Sequence, residues 1–335
     1  MKKKKSTGGK FVMPNDTKNS KQTLFGIAIL ILTAMIWGFA FVAQKYSTGH
    51  IDAVSVSGLR YVIATVVLGL TVLITDLIRK SGKKQVTKFT KNTIVGGIIC
   101  GAVLFLATIL QQVGIENTTS GKAGFITTLY IVMVPIINLF ARKRTSLPHC
   151  FAIYIALVGF VLMCLKDSTG VSEGDAVVLC SAVAFSFHIV FVDRYCRHED
   201  PQKLTFIQFA TCAVLGIPAM AINGFPTTEA IAQSIWPILY IGVMSSGLAY
   251  TLQVVGQKRV ESSIATLIMS LESVVALLGG MAILKEQITP KELAGCCLVL
   301  IAVFVARMKA GDRFLKLYKS RFFVDSRTIT LKKGK

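Results

Sequence analysis

The chain has 335 residues, 53% of them hydrophobic and only 16% charged, against roughly 25% charged in an ordinary soluble domain. Lys and Arg number 37 against 17 Asp and Glu, a net charge of +20, yet the charges sit in the tails and in short spacers between long apolar runs, which points to a membrane and away from nucleic acid. Soluble, disordered and disulfide-framework classes are excluded on the same grounds.

A basic tail covers residues 1–20. Apolar runs of spanning length follow at 24–44, 54–74, 94–114, 123–141, 149–165, 175–192, 204–222, 235–255, 264–284 and 292–308. The first follows basic residues as a signal peptide would, but it is long for a signal core and nine similar runs succeed it, so it reads as a retained span. In lipid each backbone polar group must be satisfied within the protein, and short alternating strands are absent, so the runs are expected to be helices. A second basic tail covers 312–335. With the N-terminus inside, 31 basic residues fall on the inner side and five on the outer, which sets both termini as cytoplasmic by the positive-inside rule in a multi-pass protein of the cell membrane. The basic tails then act as topology signals with some attraction to anionic membrane lipid.

The chain repeats itself. Leu106 to Gly114 reads LATILQQVG and Leu248 to Gly256 reads LAYTLQVVG, an offset of 142 that also lays Ser120 on Ser262, Ala123 on Ala265 and Pro148 on Pro290. An offset of 148 lays Ala34 to Phe39 on Ala182 to Phe187. The expectation is an all-α polytopic membrane protein of ten transmembrane helices in two five-helix repeats, 21–168 and 169–311. Five is odd, so the copies insert with opposite orientation, an architecture that suits alternating access around a midplane site.

Few polar side chains lie within the runs. Glu272 and Arg60 are the charged ones, and a charge inside a membrane usually faces a cavity or a partner. Glu272 could bind substrate, carry a proton, or rest as a neutral acid bonded to a neighbouring helix. Arg60, in the first turns of the second span, reads as a structural or gating pair or as a side chain reaching the interface. His188 is the one His well inside a span, either a satisfied core imidazole or a proton-linked cavity residue. Gln111 and Gln253 share one position in the two repeats and could orient a polar substrate or bond across helices. Trp37, Phe185, Tyr130 and Tyr250 are aromatic near mid-span and could wall a pathway or simply pack. Gly97, Gly101, Gly279 and Gly280 allow close helix approach.

Eight cysteines, Cys100, Cys150, Cys164, Cys180, Cys196, Cys212, Cys296 and Cys297, lie mostly in apolar runs without a C-x-x-C pair, and read as packing residues. No H-E-x-x-H or G-x-x-x-x-G-K-[ST] motif occurs, so neither an intramembrane enzyme nor direct nucleotide drive is supported, and no catalytic residue, metal or cofactor is expected.

The stretches Ser246 to Val303 and Gly124 to Pro148, with Trp37-Gly38 and Arg60, resemble EamA-type proteins of the drug/metabolite transporter superfamily. The resemblance implies ten helices in two inverted repeats, both termini inside, and movement of small organic metabolites, often outward. Two positions depart from the pattern. Ser273 stands where relatives commonly have Pro after the ninth-helix Glu, leaving the kink of that helix open, and Lys285 stands where they have Gly, which changes little. The expected function is a secondary transporter that exports an amino acid or similar metabolite by alternating access. Trp37, Gln111, Tyr130, His188, Tyr250, Gln253 and Glu272 would border a central cavity between spans 1, 3, 4, 6, 8 and 9, with proton coupling at Glu272 and a monomer or homodimer as the assembly. A lipid or isoprenoid carrier is the alternative.

Overall fold

A computed structural model describes residues 16–83, 85–140, 147–166, 170–196, 199–257, 259–260 and 268–307. Most of both tails, the basic residues Arg142 to Arg144, Arg197 and Lys258, and the first residues of the ninth run lie outside them.

The apolar runs fall on helices: α1 (Asp16–Ser47), α2 (Ala53–Ser81), α3 (Lys91–Glu116), α4 (Ser120–Thr128), α5 (Tyr130–Phe140), α6 (Leu147–Cys164), α7 (Glu173–Cys196), α8 (Pro201–Asn223), α9 (Thr228–Leu239), α10 (Tyr250–Gln257), α11 (Leu271–Gly279) and α12 (Pro290–Arg307). Among the described residues, six helical stretches are long and apolar enough to cross a membrane, and shorter apolar helices accompany them. The chain is therefore a helical, multi-pass membrane protein. A two-residue antiparallel ladder, Leu165–Lys166 with Gly170–Val171, joins α6 to α7.

Local chemistry starts these helices. Asp52, Thr90, Thr119, Asp200 and Thr227 each stand at an N-cap, in extended backbone, and accept amide protons of the first turn. At the other end of α8, Gly224 takes φ +93°, which a residue with a Cβ rarely adopts.

Three runs are interrupted rather than continuous. The fourth breaks at Leu129, between α4 and α5. The ninth breaks at Ser270, where the Ser273 hydroxyl donates to the Ser270 carbonyl at 2.8 Å. A serine bonding back to the preceding turn thus accompanies the break without a proline. The eighth run passes from α9 into a π-helical segment, Tyr240–Ala249, before α10; Pro237 removes an amide donor just upstream. Another π-helical segment, Gly280–Leu284, closes the ninth run at Lys285, whose φ is +57°.

Glycines set the closest crossings. A Cβ on Gly101 of α3 would stand 2.6 Å from the Gln208 carbonyl of α8, and one on Gly38 of α1 would stand 2.7 Å from the Glu272 carbonyl of α11. Backbone-to-backbone approach of this kind replaces the hydrophobic drive that lipid cannot supply between helices.

Contact order along each pair gives the helix directions. On α2 and α8, Asp52 meets Asn223, Gly69 faces Phe206, and Arg79 meets Asp200, so these helices are antiparallel. Helices α4 and α11 are antiparallel, through Gly121 with Leu277 and Gly124 with Ser273. So are α6 and α12, through Gly159 with Leu298 and Gly295 with Met163. By contrast α1 and α11 run parallel, Gly38 on Val275 and Val42 on Gly279, as do α3 and α8, Gly97 on Ile207 and Gly101 on Thr211.

Candidate functional site

Near the middle of the bundle, side chains from five helical segments meet around Tyr250. Its ring lies 5.3 Å from that of Trp37 on α1 and 5.3 Å from that of Phe209 on α8, edge-on in both cases. The Trp37 indole N–H donates to the Ser245 carbonyl at 3.1 Å. That carbonyl belongs to the π-helical segment, where widened turns re-aim backbone acceptors. One residue on, the Ser246 hydroxyl accepts from Arg60 Nε at 2.8 Å. Arg60 is buried and points sideways into the bundle rather than out to the interface. Tyr250 lies within Coulombic range of both Arg60 and Glu272.

Glu272 and Tyr130 sit at corresponding places, each just past the break in its run. The Tyr130 hydroxyl donates to Glu272 Oε1 at 3.3 Å. They are 142 residues apart, the same offset that relates the two halves of the sequence.

The remaining residues singled out in the sequence form satellites. Gln111 is buried and donates to Thr127 Oγ1 at 3.1 Å, within the first half. His188 is buried against Gln208 Oε1 at 2.8 Å, within the second. Gln253 is half-buried on α10, one turn beyond Tyr250. Phe185 packs between the cluster holding Tyr130 and the one holding Tyr250. The structure therefore brings Trp37, Arg60, Tyr130, Tyr250 and Glu272 together and leaves Gln111 and His188 in separate pairs.

A cavity of about 510 Å³ leads to this cluster from the end of the bundle that carries the basic spacers. Thr75, Arg79, Asp200, Gln202, Tyr250 and Arg259 are among its walls, so it runs between α2, α8 and α10. Spans 2, 7 and 8 border it, whereas the sequence reading placed the cavity between spans 1, 3, 4, 6, 8 and 9; of the candidate residues only Tyr250 lines it directly. Sequence reasoning missed this wall because its threonines and glutamine lie at helix ends and carry no charge pattern.

At the mouth, Asp200 accepts from Arg79 at 3.0 Å and from Thr87 at 2.7 Å. Burial alone would raise the Asp200 pKa, but these bonds, the Gln202 amide and the Arg79 charge hold it below the usual carboxylate value. Beside it Lys203 pairs with Asp76 at 2.6 Å and lies 4.8 Å over the Phe89 ring.

The opposite end is closed by a different network. Lys122 on α4 lies 3.2 Å from both Asp175 of α7 and Glu292 of α12. Asp175 is fully buried and also accepts from Thr118. Ser120 donates its amide to Glu286 at 2.8 Å and its hydroxyl at 2.7 Å. Lys45 caps the end of α3 through the Ile115 and Glu116 carbonyls, 2.9 Å each. No group of His, Cys, Asp and Glu suited to a metal ion occurs among the described residues. Cys100, Cys164, Cys212 and Cys296 are buried and in no disulfide among the described residues.

Comparison with known proteins agrees with this architecture. A transporter of unassigned substrate from Archaeoglobus fulgidus is 29% identical over 84% of this chain and 85% of its own length. Another from Bacillus subtilis, YoaV, is 23% identical over 82% of this chain and 94% of its own. A biotin transporter of Salmonella typhi is 22% identical over 86% and 95%. A solved crystal structure superposes with a TM-score of 0.58, covering 89% of this chain and 99% of that one at 18% identity, which shows the fold. The profile of the EamA-like transporter family matches residues 24–165 and again 172–308, and the chain belongs to that family of membrane transporters.

Proposed function

We propose that this protein is a secondary transporter that moves a small organic metabolite, an amino acid or similar, across the cytoplasmic membrane by alternating access, with export as its direction. The observation that carries the reading is the cavity that enters from the basic end and stops at Tyr250, while Lys122, Asp175 and Glu292 seal the far end. A solute site with one side open and the other closed is what alternating access requires.

In this reading ten helices form two inverted five-helix repeats, residues 21–168 and 169–311, with both termini cytoplasmic. The helix directions support it: pairs α2/α8 and α6/α12, each made of corresponding helices, are antiparallel, as a twofold axis in the membrane plane demands. The Tyr130–Glu272 bond joins corresponding positions, so that axis passes between them. Two consecutive family matches of similar length add to this. The charged and amide side chains in the cavity wall, Arg79, Asp200, Gln202 and Arg259, favour a polar solute over a lipid or isoprenoid cargo.

Counterflow in proteoliposomes, with amino acids, nucleosides, sugars, lipophilic cations and biotin as counter-solutes, tests the function. Exchange of one class is expected, and failure of every class removes the proposal. Topology is tested separately by thiol labelling of intact cells. A cysteine placed at Thr228 reacts from outside and Cys196 does not; the reverse pattern removes the orientation.

A further inference from the structure

Helix α2 and the eighth run pack closely toward one end of the bundle and part toward the other. A Cβ on Gly242 would stand 2.7 Å from Ile63, and one on Gly247 would stand 2.6 Å from Val67. Toward the basic end the same stripe of α2 continues through Ile74 and Ile78, and that of the eighth run through Thr251 and Val255. There the cavity lies between them, walled by Thr75 and Arg79 on α2 and by Thr251, Val255 and Arg259 on the facing side. Ile74 and Ile78 are 54% and 66% exposed, so the gap opens sideways to the bilayer as well as endwise.

Charge is placed at one level of this slit. Arg79 stands in the last turn of α2 and Arg259 just past α10, at the depth of lipid headgroups. The two carboxylates at the mouth are already engaged, Asp200 by Arg79 and Thr87, and Glu199 by the hydroxyls of Thr90 and Thr93. Arg259 donates to the Val255 carbonyl of its own segment, its guanidinium lies 5.5 Å from the centre of the Phe25 ring, and it makes no ion pair among the described residues. An exposed aliphatic stripe that ends at such a guanidinium matches an amphiphile with a negative head. We propose that the slit between α2 and α10 holds one anionic phospholipid, its phosphate on Arg259 beside Arg79 and one acyl chain along Ile74, Ile78 and Val255. Basic pockets between spans on the cytoplasmic side suit such headgroups, and a guanidinium fork meets two phosphate oxygens in one plane. Asp200, Gln202 and Thr205 line the α8 wall, away from the side opening, so the lipid is a fixture of that opening and not the cargo. The inference needs a chain embedded in a membrane and holds whatever solute is moved.

Purified full-length protein, stripped of lipid in a neutral detergent, is titrated with dioleoyl phosphatidylglycerol or with zwitterionic dioleoyl phosphatidylcholine, and bound lipid is counted by native mass spectrometry. A single phosphatidylglycerol per chain is expected to bind about fivefold more tightly than phosphatidylcholine, the effect of one cation at headgroup depth. Arg259→Gln erases that preference and Arg259→Lys keeps most of it. Lys80→Gln, at the same end of α2 but outside the cavity wall, changes the affinity by less than about twofold. Val255→Phe fills the slit with both arginines in place and weakens binding of the lipid. Equal binding of the two lipids by the unaltered protein overturns the proposal and requires no substitution. A preference that survives Arg259→Gln, or that Lys80→Gln reduces as much, overturns it too, since either marks diffuse attraction to the basic end. Unchanged binding by Val255→Phe removes the acyl chain from the slit and the proposal with it.

Discussion

The two ends of the α2–α8 pair use the same device and reach opposite outcomes. At the basic end Asp200 caps α8 and takes the Arg79 guanidinium from the end of α2. At the far end Asp52 caps α2 and takes the Asn223 amide from the end of α8 at 2.8 Å. These aspartates are 148 residues apart, the offset that relates the early helices of the two halves. Yet a cavity opens beside Asp200, whereas the end near Asp52 is closed by Lys122 and its two carboxylates. A sequence that repeats has folded into a state that does not. The asymmetry resides in the side chains around equivalent caps.

The largest effect is expected at the closed end. Asp175→Ala leaves Lys122 buried beside one half-exposed partner, Glu292, and a broken buried pair costs about 3–5 kcal/mol. Thermal unfolding in detergent should show a large loss of stability, and a cysteine at Ser120 should become reactive toward a water-soluble thiol reagent. An unchanged melting temperature would remove Lys122 from the closure.

Between the ends, Glu272→Gln keeps shape and hydrogen bonding but removes the charge. The variant is expected to reach the membrane and to lose pH-dependent or uphill transport. Uptake that stays pH-dependent across about pH 5 to 8 would leave Glu272 without a coupling role.

Smaller effects belong to the open end. Asp200→Ala removes an N-cap, worth about 1 kcal/mol, and a partly exposed ion pair that adds less. Asp52→Ala should cost about as much by its own cap. Paired unfolding measurements on the two variants compare the ends directly.

The smallest effect is one of pH. Because the folded-state pKa of Asp200 lies below its unfolded value, its contribution to stability is complete above about pH 4 and is lost as the pH falls through the folded value. Stability of wild type and Asp200→Asn should therefore differ at neutral pH and converge in acid. A difference that grew on acidification would contradict the bonding at this mouth.

Much of this was legible beforehand. Long apolar runs become helices because lipid offers the backbone no other partner, and intramembrane charge is rare enough that Arg60 and Glu272 stood out at once. The repeat offset was visible in LATILQQVG and LAYTLQVVG, and it bears directly on the Tyr130–Glu272 contact. What stayed hidden depends on backbone detail or on distant partners. The break at Ser270 has no proline to announce it, and the π-helical turns of Tyr240–Ala249 follow no sequence rule. Lys122 and Asp175 lie at the ends of apolar runs, where charges ordinarily meet water; only the folded bundle turns them toward each other.

The interleaving of the two halves also bears on how the protein is made. Helix α1 packs against α11 and α10, and α3 against α7 and α8, all from the second half. The grooves at Gly38, Gly97 and Gly101 therefore stay unfilled while the first half leaves the ribosome, and they close only after later helices have been inserted. A pause in synthesis midway would strand a membrane-embedded intermediate whose contact faces are already displayed, the kind of species a membrane chaperone or protease would meet first.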